Sequence, residues 1–281
     1  MPVARLRPVN PYQFRLWFDN VYLKGFRYIP RIKLSARLQQ DRALLAVGAN
    51  FFCQSVRQDA VVRLRNTLNR LRSGEQRILS PSQLFDAIQA PDILIRKAWR
   101  YYRHKRAYNP DDLGIDLRVH CEQAPNASSR LRLSEERDAL GLYKSRLDWQ
   151  LGELEPKTIV EFGAYAARQF ELAGIARVEM YPENLQLESL ICNVSDSSHH
   201  MGTARMAMSP RHGVVDENCK LFGIANGFVC SSAVFPTSGF ATPTHTIVAL
   251  GVRLAEHIAR RHSAEISLSS QRHPATAGGA A

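Results

Sequence analysis

The most informative absence in this 281-residue sequence is a glycine-rich phosphate-binding loop, since its 16 glycines nowhere form a G-x-G pair. Such a loop, set between a strand and a helix, holds the pyrophosphate in many dinucleotide-binding proteins. No apolar run approaches the roughly 18–20 residues of a membrane-spanning helix, and Pro8 and Pro11 interrupt the region where a secretory signal would lie. We therefore expect no membrane span and a cytoplasmic chain.

Cysteine is too scarce and too scattered for a disulfide framework or a zinc knuckle. No two cysteines form a C-x-x-C pair, and their number is odd. The five are Cys53, Cys121, Cys192, Cys219 and Cys230. We expect buried thiols and no metal site.

Acidic residues are scarce in the first part of the chain. Residues 1–110 contain 21 Lys and Arg against 6 Asp and Glu, or 21 − 6 = +15, while the remainder carries 16 − 20 = −4, which together give +11. A basic region can bind nucleic acid or an anionic surface, form a solvated helical face, or meet an acidic partner. The sequence contains no helix-turn-helix, RNA-binding or zinc-finger signature, so we expect no nucleic-acid partner.

Hydrophobic periodicity predicts an order of elements along the chain. Four prolines predict an irregular segment over residues 1–34. Helices are predicted at 60–71, 80–99, 156–172 and 246–258, with Pro91 as an alternative break in the second of these. Strands are predicted at 115–119, 131–133, 147–149 and 227–232, with a turn at 135–141. The Ser-, Ala- and Gly-rich residues 263–281 are predicted to be a disordered tail.

The residues with the most chemical potential lie between Ser197 and Thr246. His199 and His200 are adjacent and precede Gly202. A histidine titrates near neutral pH and can accept a proton from a substrate hydroxyl. Adjacent side chains do not share a face, so at most one of the two points into a given site. Taken alone, the pair could equally be packed or surface histidines, and no neighbouring residues complete a metal-ligand set.

A run of small residues follows the histidines. The segment GFVCSSAVFPT at residues 227–237 has the pattern of a buried strand that leads into a loop. Small residues in such a loop let backbone N–H groups approach a ligand, and ligands in α/β sheets lie at strand ends. An ordinary strand and turn would have the same pattern, so this segment alone does not decide between the two.

The combination of motifs resembles the carboxy-terminal signature of the glucose–methanol–choline (GMC) oxidoreductases. The motif H-x-x-G-T-x-R-M at residues 199–206 is followed by GVVD at 213–216 and FPTSGFATPTHT at 235–246. The stretch EQAPNASSRLRLSEERDALGLYKSRLDW at 122–149 is similar to the family as well. The resemblance covers about residues 115–262.

The resemblance implies a mixed α+β and α/β fold. A mainly antiparallel substrate-domain sheet with helices is expected, plus the closing strand and last helix of a Rossmann-like FAD domain whose amino-terminal part is absent. On this basis we divide the chain into a basic, mainly helical region (1–110), substrate-domain strands and helix (111–195), and the signature closing on the FAD domain (196–262). The tail follows.

The resemblance also implies roles for named residues. His199 would take the hydroxyl proton of an alcohol or sugar while a hydride passes to FAD. Ser231, Ser232 and Ala233 would lie along the FAD, and Pro243 and Thr244 would lie under the pyrimidine end of the flavin. Asp216 would lie in the segment that returns the chain to the FAD domain.

The sequence departs from the family pattern beside the expected site. Thr242 stands where the family usually has Asn or His as a second partner for the substrate hydroxyl, and a threonine hydroxyl has a shorter reach. His245 stands where an apolar residue is common, and we expect it to pack or to cap the helix. The resemblance implies the carboxy-terminal part of an FAD-dependent oxidoreductase that acts on CH–OH groups. The missing G-x-G predicts that an amino-terminal FAD-binding half completes it. The alternative is a non-catalytic remnant or partner subunit that binds through its basic helical face.

Overall fold

The computed structural model describes residues 2–55, 91–111, 113–184 and 186–272. These residues form two compact units. The first contains Met1–Glu122 and Gly152–Ser195, and the second contains Gln123–Leu151 and Asp196–Ala281. Within the described residues, no helix combines the length and apolarity that a membrane span requires.

The first unit is built on an antiparallel five-stranded sheet with helices. Its strands, in chain order, are β1 (Pro2–Pro8), β4 (Ile32–Lys33), β5 (Val47–Gln54), β6 (Gly114–Cys121) and β9 (Ala176–Met180), and their order in the sheet is β4-β5-β6-β1-β9. A separate hairpin pairs β2 (Val21–Leu23) with β3 (Phe26–Tyr28). The helices are α1 (Pro11–Phe18), α2 (Ala36–Arg42), α3 (Pro91–His104), α4 (Leu154–Leu172) and α5 (Leu187–Asn193).

The second unit contains a hairpin, irregular signature segments and a long helix. The hairpin pairs β7 (Arg130–Arg137) with β8 (Tyr143–Asp148), and the helix is α6 (Thr244–Arg272). The mixed α and β composition with an antiparallel sheet confirms the coarse fold class that the sequence predicted.

Strand β1 shows that the prediction of an irregular segment over residues 1–34 was wrong. From Ala4 to Arg7, the buried Ala4 and Leu6 alternate with the more exposed Arg5 and Arg7, whereas Val3, at a register shift, is buried as well. This period of two is that of a strand with one buried face. The prolines stand at the two ends of β1, where a strand tolerates them. The described part of residues 1–110 contains strands β1 to β5 besides helices α1 to α3, and the division of the chain at residue 110 stays a prediction.

Helix α4 covers the apolar face of the sheet and confirms the helix predicted at 156–172. Ile159, Phe162 and Phe170 are buried in the core that this helix shares with the strands. A Cβ at Gly163 would come within 3.1 Å of the Met180 Cε atom and 3.5 Å of the Val3 Cγ2 atom, so glycine allows the close approach of helix and sheet.

Other predicted elements can also be compared with the structure. Strand β6 and hairpin β7–β8 confirm the strands predicted near 115, 131 and 147. The turn starts at Asp138 instead of residue 135, because the Asp138 carboxylate accepts from the backbone N–H groups of Leu140 and Leu142. Helix α6 confirms the helix predicted at 246–258 and continues to Arg272, past the predicted tail boundary at residue 263.

The strand predicted at 227–232 was wrong. Phe228 makes only an isolated bridge to Lys220, and Ser232–Val234 form a 3-10 turn. An extended run becomes a strand only where a neighbour supplies a hydrogen-bonded ladder. The helix predicted at 60–71 lies outside the described residues, as does the part of the 80–99 helix before Pro91, whereas α3 confirms its remainder.

The cysteine prediction was right for part of the set. All five thiols are free. Cys219 is buried, Cys53 and Cys121 are half-buried, and burial raises the pKa of Cys53 to about 12. Cys192 and Cys230 are exposed, so for them the prediction of buried thiols was wrong.

A buried ion cluster attaches α3 to α1. The Asp19 side chain is almost fully buried and lies 3.0 Å from the Arg100 Nη2 atom and 3.8 Å from the Arg15 Nη1 atom. Arg15 also pairs with Asp111 and donates to the Asn109 carbonyl at 2.7 Å. Burial raises the pKa of Asp19 to about 6, against the lowering influence of Arg15 and Arg100.

We predict that Asp19 makes the stability of the chain depend on pH. Its folded pKa lies above the value of about 4 expected in the unfolded chain, so the folded state binds more protons between these two values. The free energy of unfolding should therefore fall as the pH rises from about 4 to about 6. Urea unfolding at a series of pH values measures this slope.

Two variants separate the contribution of Asp19 from that of other groups. Asp19→Asn should remove its part of the slope. Arg100→Met removes a positive charge that lowers the pKa of Asp19, so the slope should extend to higher pH. An Asp19→Asn variant with the unchanged pH profile would contradict the assignment.

Candidate active site

The loop before Gly202 sets the orientation of the His199 ring. The Asp196 carboxylate accepts from the Ser198 backbone N–H at 2.5 Å, and Ser198 has a positive φ of 57°. The Nδ1 atom of His199 contacts the carbonyl oxygen of Ser197. A carbonyl oxygen can only accept, so Nδ1 carries the proton and the neutral ring keeps its free lone pair on Nε2. His199 is half-buried, whereas His200 is exposed.

Gly202 and Thr203 have φ angles of 84° and 71°, and both lie in the left-handed region. Glycine adopts this conformation without the steric cost that a side chain brings. No described atom lies within 4 Å of the position that a Cβ at Gly202 would occupy. The backbone angle therefore favours glycine at this position, and the space beside it is open.

Backbone hydrogen bonds join the histidine segment to the predicted cofactor-binding loop. The N–H groups of Gly202, Ala204 and Met206 donate to the carbonyls of Ser232, Ala233 and Val234 at 3.2, 3.0 and 2.8 Å. The Ser232 hydroxyl donates to the His200 carbonyl at 2.7 Å. The structure thus places the segment after His199 directly beside Ser232 and Ala233. Ser231 begins the same turn, and its hydroxyl accepts from the Ala233 N–H at 3.1 Å.

A small apolar core fixes this arrangement to α6. Its buried members are Val215, Cys219, Val234 and Leu254. The Cys230 sulfur lies 3.2 Å from the position of a Cβ at Gly251, so the loop approaches the helix closely where the helix has no side chain. Burial raises the pKa of the Cys219 thiol, which disfavours the thiolate that a nucleophile needs.

Asp216 closes a turn within this core. One of its carboxylate oxygens accepts from the backbone N–H groups of Asn218 and Lys220 at 2.8 and 3.0 Å. Gly213, at the start of the same segment, has no space for a side chain, since a Cβ there would lie 2.5 Å from the Arg205 carbonyl oxygen. The backbone contacts of Gly213 and Asp216 therefore explain why the GVVD motif begins with glycine and ends with aspartate.

The third predicted segment leads into α6. The Ser238 hydroxyl accepts from the Gln123 N–H at 3.3 Å, and Gly239 has a φ of 73°. Pro243 is buried, whereas Thr242, Thr244 and His245 are exposed. Among the described residues, no hydrogen bond joins Thr242 to His199, so the structure does not pair these two as it pairs the histidine segment with Ser232.

No second site competes with the signature segments in the part of the chain that the structure describes. Within those residues, no group of three or more His, Cys, Asp or Glu side chains could hold a metal ion. A shallow depression on hairpin β7–β8 is lined by Arg130, Arg132, Arg146, Asp148 and neighbouring residues. Its lining residues lie within 127–150 and do not include His199, the 231–233 turn or the residues before α6, and its cations partly pair with Asp148.

The geometry shows features that sequence reasoning missed. The Ser197 carbonyl orients the His199 ring, and the Ser232 hydroxyl binds the His200 carbonyl. Backbone carbonyls carry no signal in residue identity, so the first feature could not have been found from the sequence. The serine pair in CSSA offered a weak signal for the second, since serine hydroxyls commonly bind nearby backbone groups.

Comparison with known proteins shows what the chain resembles. Residues 125–251 match the model of the GMC oxidoreductase family. The chain is 29% identical over 57% of its length to the 2-methyl-1,2-propanediol dehydrogenase of Mycolicibacterium austroafricanum, of which the match covers 28%. It is 27% identical over 54% of its length to the C-glycoside 3-oxidase of Microbacterium trichothecenolyticum, again covering 28% of that protein.

The large subunit of the fructose dehydrogenase of Gluconobacter japonicus is similarly related, with 27% identity over 52% of this chain and 25% of that protein. Residues 125–251 thus match the C-terminal part of the GMC oxidoreductases, and these curated relatives support that assignment. The matched region spans about a quarter of the length of these curated relatives.

We predict that the Ser232 hydroxyl holds the histidine segment in place. Ser232→Ala should lower the free energy of unfolding by about 1 kcal/mol and speed amide hydrogen exchange at Gly202, whose N–H donates to the Ser232 carbonyl. Ser231→Ala is the matched control, because its hydroxyl bonds only within its own turn. Equal exchange rates at Gly202 in the two variants would exclude this role for Ser232.

Proposed function

We propose that this chain is the C-terminal part of an FAD-dependent oxidoreductase that oxidises a CH–OH group of an alcohol or sugar. The observation that carries the proposal is the His199 ring, whose Nδ1 is bound to the Ser197 carbonyl and whose Nε2 is left with a lone pair. The ring's segment is hydrogen-bonded to the turn at Ser232 and Ala233. Related proteins include a diol dehydrogenase and a sugar dehydrogenase subunit, which supports this substrate class.

The residues present fit one end of FAD. Ser231, Ser232 and Ala233 form a turn of small residues, and the space beside Gly202 and Gly239 is open. Helix α6 starts at Thr244 after the buried Pro243 and has no acidic residue in its first turn, which suits an anionic ligand at its N-terminus. The sequence has no G-x-G loop for the pyrophosphate. These residues therefore fit the flavin ring end alone.

In the proposed mechanism, Nε2 of His199 accepts the hydroxyl proton of the substrate. The Ser197 carbonyl keeps the ring in the tautomer that leaves Nε2 free, and it stabilises the imidazolium that forms. FAD, when bound, would supply the hydride acceptor for the carbon that carries the hydroxyl. Thr242 lies before α6 and is exposed, so its hydroxyl is the proposed second partner of the substrate.

We further propose that an FAD-binding amino-terminal half completes the site. Helix α6 would then be the last helix of a Rossmann-like domain. The hairpin β7–β8 exposes Leu131, Leu133 and Leu147 by 57%, 72% and 59%, an apolar surface suited to a covering partner. We propose a cytoplasmic location for the assembled enzyme.

A non-catalytic remnant or partner subunit is the second candidate. The observation that favours it is the basic, partly apolar surface of α3, which has no counterpart in the proposed catalysis. Under this reading the His199 segment would be a structural loop, and its substitution would not change any reaction rate. The experiments below therefore separate the two candidates.

The first test is the visible absorbance of the purified chain with and without added FAD. The chain alone should not retain a flavin band through desalting, since the pyrophosphate contacts are missing. A retained band would contradict the incompleteness of the chain, and bleaching of that band by an alcohol would still support the oxidoreductase assignment. The test therefore distinguishes whether the chain alone holds FAD from whether it oxidises an alcohol.

The second test is His199→Ala in the chain reconstituted with an FAD-binding half. The rate of flavin reduction should fall by roughly 10²–10⁴-fold, the usual loss on removing a general base. His200→Ala is the matched control and should change the rate by less than about threefold, because this histidine is exposed and only its backbone contacts Ser232. A similar small effect for both variants would remove His199 as the base.

A further inference from the structure

Helix α3 directs the Arg100 side chain toward the interior of the first unit. The Arg100 side chain is 11% exposed and pairs with the buried Asp19. Ile93, two turns earlier on the same side, is 1% exposed. The ion pair of Arg100 with Asp19 thus attaches the inner face of α3 to the rest of the first unit, and it fixes the orientation of the helix.

The outer face of α3 is apolar and aromatic. Ile95, Trp99 and Tyr102 are 69%, 64% and 75% exposed. Their spacing of four and three residues places them in one stripe along the helix. A surface helix of a globular protein usually has the reverse polarity, with its apolar stripe toward the core. The exposed stripe therefore indicates a partner outside the described residues.

Cations border this stripe on both sides. With 100° per residue, Arg96 and Arg103 lie along one border of the stripe. Lys105 follows the helix at the other border, and its ammonium group lies 5.3 Å from the Tyr101 ring centre and 5.9 Å from that of Tyr102. All three cationic side chains are exposed.

The hairpin β2–β3 adjoins the same end of α3. The rings of Tyr22 and Tyr101 lie 5.2 Å apart, and the Tyr22 N–H donates to the Lys105 carbonyl at 2.7 Å. Phe26 is 68% exposed. Residues 20–35 and 93–110 together contain 4 + 6 = 10 Lys and Arg residues, of which Arg100 and Arg106 bond to Asp19. The remaining cations beside the apolar stripe favour an anionic partner that also accepts apolar side chains.

We propose that α3 docks this protein on the surface of an anionic lipid bilayer. Ile95, Trp99 and Tyr102 enter the boundary between headgroups and acyl chains, and Arg96, Arg103 and Lys105 reach the lipid phosphates. Aromatic and aliphatic side chains bordered by Lys and Arg are the pattern of helices that lie in a membrane interface. A lipid surface is favoured over a nucleic acid because the sequence contains no helix-turn-helix, RNA-binding or zinc-finger signature. This inference does not depend on the proposed catalysis.

Co-sedimentation of the full chain with lipid vesicles tests the proposal. Vesicles of phosphatidylcholine mixed with phosphatidylserine should bind the chain at least roughly tenfold more tightly than vesicles of phosphatidylcholine alone. Added salt should weaken this binding, since the attraction between exposed charges is screened. Absence of binding to the mixed vesicles, or equal binding to both kinds, would overturn the proposal.

Two double variants divide the contributions of the stripe and its cations. Trp99→Ala with Tyr102→Ala should weaken binding to the mixed vesicles by roughly tenfold or more, as should Arg96→Glu with Arg103→Glu. All four side chains are exposed, so the fold should be kept, and circular dichroism checks this. Tyr165→Ala is the control, as an exposed tyrosine on α4, and should bind like the unaltered chain. Full binding by the Trp99 and Tyr102 variant would exclude α3 as the docking surface.

Discussion

Strand β1 connects the two parts of the five-stranded sheet, since it hydrogen-bonds to β6 on one side and to β9 on the other. Its buried residues Ala4 and Leu6 face the same core as α4. The strand β6 that it holds ends at Cys121, immediately before the chain enters the second unit. A segment of seven residues at the start of the chain thus determines where the later elements of the first unit are placed.

The elements that sequence reasoning predicted correctly are those whose patterns are local. Apolar residues recur at helical spacing in α4 and at every second position in β6, and both elements were predicted. Strand β1 was missed because Pro2 and Pro8 suggested a break, although strand ends accept proline. The pairing of Asp19 with Arg100 could not have been predicted, since the two residues are distant in sequence and the pair depends on tertiary packing.

The residues of the candidate site could be predicted from the sequence, but the hydrogen bonds that connect them could not. The motifs identified His199, the serines of the 231–233 turn and the residues before α6. The structure adds that backbone N–H groups after Gly202 bind the carbonyls of that turn. Such bonds use main-chain atoms, which are the same in every residue, so a sequence cannot specify them. For the same reason, the role of the signature glycines became clear only from their φ angles and their surroundings.

The contact between Cys230 and Gly251 has a consequence for the rotation of α6 about its axis. Leu250 and Leu254 face the small core, and Gly251 presents a gap to the Cys230 sulfur. A turn of the helix by one residue would bring Leu250 or Val252 against the sulfur in place of the glycine. Because a residue with a side chain would crowd the sulfur, the helix packs in one rotational orientation about its axis. That orientation determines the direction in which Thr244, at the start of α6, points.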